Sequence, residues 1–269
     1  MKFAINYSPE AKKLVDDQQI EVDLFKCPDF DRKLIEDAKN SRPPYIHFDL
    51  NAGANSLSSV NWKMVDELLK DTSTPYINLH LVAYSSHFPN LAIDTFKEDE
   101  LDQIIEPILL DINRMAKKYG EDRIILENVV YRDEKSDMQR AIIDPRVISR
   151  IVEETGCGLL LDIAHAQMTC FYTGEDVYQY LSKFPVNHLK ELHITGIQKK
   201  EGKYRDSMPM SEKDWKLAAW VLENIKKGLW QEPWAASFEY GGVGPIFEWR
   251  TNSDVIKEQT PRLYQLVKG

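Results

Sequence analysis

Eight short apolar runs, each followed by a segment of helical periodicity, restrict most strongly how this chain can fold. The runs are KFAIN (2–6), EVDLFKC (21–27), YIHFDL (45–50), YINLHLVAY (76–84), RIILENV (123–129), GLLLDIA (158–164), LKELHITG (189–196) and WAASFEY (234–240). Helical periodicity occupies residues near 8–17, 29–40, 61–71, 98–119, 144–155, 174–183, 211–227 and 252–267. The stretch SEKDWKLAAWVLENIKK is typical, with a serine cap, acids in its first turn and lysines in its last. Within it Trp215, Ala218, Ala219, Leu222 and Ile225 recur at spacings of three and four, one apolar stripe. RIIL and GLLL are apolar on both faces of the pleat, as strands covered on both sides must be. No GxGxxG loop follows the first run, which argues against a dinucleotide-binding open sheet. The pattern predicts an α/β protein: a single (β/α)8 TIM-barrel domain over residues 1–269.

In such a barrel the loops after the strands build the shared concave face, so reactive groups are sought at the strand ends. There stand His47 (with Asp49 on the same face), His80, Glu127, Asp162 followed by His165, His193 (with Glu191 and Thr195), and Glu239. Of the six histidines, only His87 and His188 fall elsewhere. Glu127, Asp162 and Glu239 each follow a mainly apolar run, where a lone carboxylate is costly to desolvate and a cation among them relieves the cost. A single histidine at a strand end is more often hydrogen-bonded structure than a ligand, so the convergence carries the reading. Nitrogen and carboxylate donors without thiolate suit zinc, manganese or iron. Seven candidates exceed the four positions of one zinc, which implies two or more divalent ions or some residues that only orient the ligands. The loop after His193 adds Asp206 as a further candidate ligand and Arg205 as a holder of an anionic substrate. Asn128, at the fifth strand end, is a candidate substrate contact, and Lys26, at the second, reads as a solvated rim residue with substrate contact the alternative.

Charge narrows the partners. The chain has 43 acidic against 34 basic residues, a formal net charge of −9, which disfavours nucleic acid and anionic membranes as partners. No apolar run approaches the roughly 20 residues of a membrane span, and MKFAINYSPEAKK lacks the apolar core of a secretory signal. Cys27, Cys157 and Cys170 are odd in number and unpaired in spacing, so no disulfide framework is expected. A cytoplasmic protein is expected.

The motifs ILEN, LLLDIAHA, ELHITG and SFEY resemble the xylose-isomerase-like barrel superfamily. Within it, HFDLNAGANS, LENVVY, FPVNHLKELHITG, RDSMPM followed by DW, and SFEY are most similar to the multinuclear non-haem iron oxidative enzymes. That resemblance implies two or three irons bound by His47, His80, Glu127, Asp162, His193, Asp206 and Glu239. It also implies dioxygen-dependent modification of cysteine-containing peptides, often with a partner protein that presents the peptide. Two departures stand out: His165 replaces a common asparagine, and Met208 replaces a histidine ligand. Endonuclease IV is similar in LDIAHA and in the order of its ligands, but its second loop histidine also falls at Met208, and the acidic chain opposes DNA binding. The sugar isomerase and epimerase branch implies one metal on Glu127, Asp162, His193 and Glu239. There the two glutamates would move a proton beside a carbonyl, with His165 and Arg205 orienting the substrate. This reading leaves His47 and His80 without a role. A barrel with a structural or degenerate metal site is the remaining alternative. Long segments after the fourth and seventh strands, SSHFPNLAIDTFKED and TGIQKKEGKYRDSMPMSEKDW, are expected to form lids.

Overall fold

A computed structural model describes residues 1–132 and 136–269. The chain begins with β1 (Lys2–Asn6), α1 (Pro9–Asp16), β2 (Leu24–Pro28), α2 (Arg32–Lys39) and β3 (Pro44–His47). Next come β4 (Asn51–Ala52), α3 (Trp62–Asp71), β5 (Ile77–Leu81), α4 (Glu98–Tyr119), β6 (Ile124–Glu127) and α5 (Pro145–Thr155). They are followed by β7 (Gly158–Asp162), α6 (Ile163–Thr173), α7 (Val177–Leu181), β8 (Leu189–Ile194), β9 (Gly196–Lys200) and β10 (Lys203–Met208). The last elements are α8 (Glu212–Lys226), β11 (Ala235–Phe238) and α9 (Ser253–Lys268). All eight expected strands and the helices between them are present, with most ends trimmed by a few residues.

Two compact units divide these elements. The first comprises Met1–His47, Lys63–Pro75 and Lys190–Gly269. Its strands run parallel in the order β3-β2-β1-β11-β8, with Pro28 opposite His47 and Ser237 opposite His193. Phe3, Ile5, Phe25, Ile46 and Phe238 fill its core. Local chemistry sets its helix starts. Ser8 caps α1 ahead of Pro9, Asp31 caps α2, and Ser211 with Asp214 forms a reciprocal capping box on α8.

The second unit comprises Phe48–Trp62 and Tyr76–Leu189. Its strands run parallel in the order β7-β6-β5-β4, with His80 opposite Glu127 and Glu127 opposite Leu160. Ile77, Leu79, Ile125, Leu159 and Leu161 are buried between strands and helices, with Ile104, Ile108 and Ile112 of α4 on the covering face.

Two segments differ from the sequence expectation. The GLLLDIA run stops at Asp162, and α6 starts at once, because the Asp162 side chain accepts a hydrogen bond from His165 N and caps the helix. Most of the first two turns of α6 is buried, so it carries little amphipathic signal in the sequence. The segment after His193, expected as a polar loop, is the antiparallel hairpin β9–β10. Its turn residues Glu201 and Gly202 have φ of 52° and 82°, the left-handed conformations of a tight two-residue turn.

Candidate metal centre

In the second unit the site grows from three neighbouring strand ends. Glu127 closes β6 and Asp162 closes β7, at 2% and 1% exposure, each at the end of a run with no polar residue of its own. Imidazoles face both carboxylates. His80 Nε2 lies 3.2 Å from Glu127 Oε2, and His165 Nδ1 lies 3.7 Å from Glu127 Oε1. His165 Nε2 is 3.6 Å from Asp162 Oδ2. Ligands at about 2.0–2.2 Å from one ion stand roughly 3–4 Å from each other, so these spacings match edges of a coordination shell. The donor atoms of His80 and Glu127, and those of Glu127 and Asp162, lie within 4.8 Å and could hold a metal ion.

The imidazoles are oriented from behind. His80 Nδ1 sits 3.2 Å from the Leu50 carbonyl, which turns Nε2 towards Glu127. Burial disfavours the charged form of His80, but the Glu127 carboxylate outweighs it and the pKa is raised. His165 Nδ1 is 2.9 Å from the Asn128 carbonyl. Asn128 clamps the next strand: its Oδ1 accepts from Asp162 N at 2.8 Å, and its Nδ2 donates to Asp162 O at 2.9 Å. Asn128, expected at the substrate, is buried and spends its amide on positioning Asp162. Asn128→Ala should therefore cost about 1–3 kcal/mol, the penalty for stranding buried backbone groups. Urea unfolding measures it, and an unchanged midpoint would refute the clamp.

The first unit carries a second set. His193, fully buried on β8, has Nε2 2.9 Å from Glu191 Oε1 and Nδ1 3.1 Å from Glu239 Oε1. Glu239, just beyond β11, is ion-paired with Lys26 of β2. Glu191 Oε1 also accepts from Tyr45 Oη at 2.9 Å. Burial, followed by the Glu191 charge, pushes the Tyr45 pKa well up, so the phenol stays a donor. The His47 ring, at the end of β3, lies 5.2 Å from the His193 ring centre to centre. A run of side chains, buried except for the half-buried Glu239, thus leads from Tyr45 through Glu191, His193 and Glu239 to Lys26.

One expectation changes here. Lys26 is not a solvated rim residue; it is 6% exposed, and its charge balances Glu239. Asp49 lies beyond β3 and is exposed. Asp206 lies on β10, where Arg250 donates to its carbonyl at 2.5 Å and approaches its carboxylate at 3.7 Å. Arg205 is exposed on the same strand, opposite Gln198. Met208 is buried and presents a thioether where the resemblance implies an imidazole. Tyr45 carries no sequence signal of its own, and Glu191 enters the sequence reading only as a neighbour of His193. Each stands two residues before a candidate ligand, so the two-residue strand period would have flagged both.

Solved structures define the class. The chain is similar over 98% of its length to 3-keto-D-glucoside 4-epimerase from E. coli, covering 99% of that protein, with a TM-score of 0.58 and 12% identity. It is similar over its whole length to D-psicose 3-epimerase from Clostridium cellulolyticum H10, covering 98% of it, with a TM-score of 0.54 and 11% identity. The fold is the xylose-isomerase-like (β/α)8 TIM barrel. Residues 32–229 match the model of the RiPP precursor modification enzymes MbnB/TglH/ChrH, and the chain belongs to that family. Among relatives, UPF0276 protein RB0508 of Rhizobium meliloti is 24% identical over 176 residues, 61% of this chain. That alignment spans 54% of the relative's length. A UPF0276 protein of Acaryochloris marina is 22% identical over 224 residues, covering 81% of this chain and 74% of the relative. Among the described residues no helix is long and apolar enough to cross a membrane.

Proposed function

We propose that this chain is a metal-dependent enzyme that oxidatively modifies a precursor peptide. Two or more divalent ions, with iron the working metal, are assigned to His47, His80, Glu127, Asp162, His165, His193, Asp206 and Glu239. The observation that carries the reading is the cluster of two buried carboxylates and two imidazoles at His80, Glu127, Asp162 and His165. Membership of a peptide-modifying family supports a peptide substrate. Bound iron would supply redox and Lewis-acid chemistry to these strand ends.

The protein's own residues prepare the site in distinct ways. Leu50 and Asn128 carbonyls set the ring orientations of His80 and His165. Asn128 fixes the strand end that carries Asp162. Lys26 offsets the charge of Glu239, and Glu191 holds His193 in a fixed rotamer. Arg205, exposed on β10, is assigned to an anionic group of the substrate. Met208 removes one imidazole from the ligand set, so two ions are expected rather than three.

The test is metal content of protein purified without chelators or added metal, with oxygen uptake in the presence of reductant. About two ions per chain, mainly iron, with oxygen consumption is the expected result. One manganese, magnesium or zinc per chain without oxygen uptake would replace the proposal with single-metal isomerase chemistry on Glu127, Asp162, His193 and Glu239.

A further inference from the structure

The β9–β10 hairpin leaves β8 three residues after His193 and carries Asp206 on its return strand. Residues 196–208 hold four cations, Lys199, Lys200, Lys203 and Arg205, against two acids, Glu201 and Asp206, in a chain of net charge −9. Cross-strand register pairs Lys200 with Lys203 and Gln198 with Arg205, and pairs two residues apart share one face of the ribbon. Three cations and a glutamine therefore lie on that face. Like charges directly opposite on a ribbon repel, so Lys200 facing Lys203 is a local cost that an anionic ligand removes. Among the described residues, Lys203 and Arg205 form no ion pair that would neutralise them. Asp206 does not serve this purpose, because its carboxylate and carbonyl face Arg250.

Beside the hairpin lies an apolar shelf. Lys200 Nζ sits 3.2 Å from the centre of the Trp249 ring, which is 46% exposed, and Ile246 nearby in sequence is also exposed. The ribbon has two strands and, among the described residues, no third one, so extended backbone can add along its edge beside the turn, although Arg250 occupies the Asp206 carbonyl further along. The tight Glu201–Gly202 turn holds the ribbon in shape before a ligand arrives.

We propose that this hairpin, with Trp249, docks an extended acidic segment of the substrate peptide and so leads the chain to be modified towards the strand ends. The inference rests on the peptide-substrate reading above. Edge pairing recognises a peptide backbone, and alternate acidic side chains of a strand would meet the basic face. Polyphosphate backbones lack the first of these features.

The test uses the full chain and a short fluorescein-labelled peptide of alternating aspartate and valine, followed by anisotropy at low salt. Binding that falls as salt rises is expected, with no binding of the same peptide carrying lysine for aspartate. Lys200→Glu with Lys203→Glu should weaken it by on the order of tenfold or more, the effect of reversing two partly exposed charges. If circular dichroism shows that this variant is unfolded, Trp249→Ala carries the test and should weaken binding severalfold. Equal binding of the lysine peptide, tighter binding of oligothymidylate, or unchanged affinity in a folded variant overturns the proposal. Metal content of the same preparations separates the two readings. Binding of the acidic probe by protein that takes up no iron would remove the iron chemistry and leave the docking face. Iron-loaded protein that ignores the probe would remove the docking face alone.

Discussion

Glu127→Gln should empty the metal centre while leaving the apo protein at least as stable as the wild type. Glu127 is the carboxylate that both His80 and His165 approach, at 3.2 and 3.7 Å. Glutamine keeps its shape and hydrogen-bonding reach but removes the negative charge that a divalent ion needs in a buried setting. The loss in metal affinity should exceed the roughly 10–100-fold typical of changing a partner behind a ligand. Without metal, the wild type bears the cost of a desolvated carboxylate, offset in part by the His80 imidazole beside it, and the variant has neither the cost nor the offset. Metal binding to the native state raises wild-type stability by about 2.7 kcal/mol at a free concentration one hundred times Kd. That increment should vanish in the variant. Equilibrium metal content and thermal unfolding with and without added iron measure both effects. Full metal occupancy in Glu127→Gln would show that this carboxylate is not a ligand.

Gly53→Ala is the largest expected loss of stability, and its cause lies in the backbone. Gly53 has φ +119°, a conformation that residues with a Cβ rarely adopt. A Cβ there would stand 2.1 Å from the Val82 carbonyl oxygen and 3.2 Å from Ile108 Cγ1. The first of these atoms cannot swing aside, because Val82 N is itself bonded to Ala52 O at 3.0 Å, holding β4 against the chain beyond β5. Gly53 N also donates to Asp111 Oδ2 at 3.0 Å, and any shift of the glycine leaves that buried carboxylate with the Arg114 guanidinium at 3.5 Å in place of its shorter bond. Strain, steric overlap and a weakened hydrogen bond to a buried acid act in the same direction, so a loss of about 4 kcal/mol or more is expected. Urea denaturation of the alanine variant tests this, and an unchanged midpoint would mean the local backbone is softer than its contacts imply. The glycine in HFDLNAGANS is thus explained by backbone geometry, independently of any ligand.

The strand ends were legible where burial writes itself into composition. RIIL and GLLL are apolar at every position because both faces of their strands are covered, and the acid that ends each run stands out against them. α8 was legible for the opposite reason, since one face meets solvent and the 3.6-residue period survives. α6 was not, because most of its first two turns is buried and the period is erased. The β9–β10 hairpin was hidden by polarity on both faces and by a Glu–Gly turn in place of the commoner Asn–Gly.

The amino-acid order by itself determined the strand and helix alternation, and with it which histidines and carboxylates end strands. Periodicity is a local property, set by which side of each element meets water. What only the tertiary structure decided is how those side chains pair. Lys26 meets Glu239 across 213 residues because β1 pairs with β2 on one side and β11 on the other. Tyr45 reaches Glu191 across 146 residues. Nothing local in the chain encodes such a partner, since the choice of neighbour is made by strand order, and it is that order which turns a lysine read as solvated into a buried counter-charge.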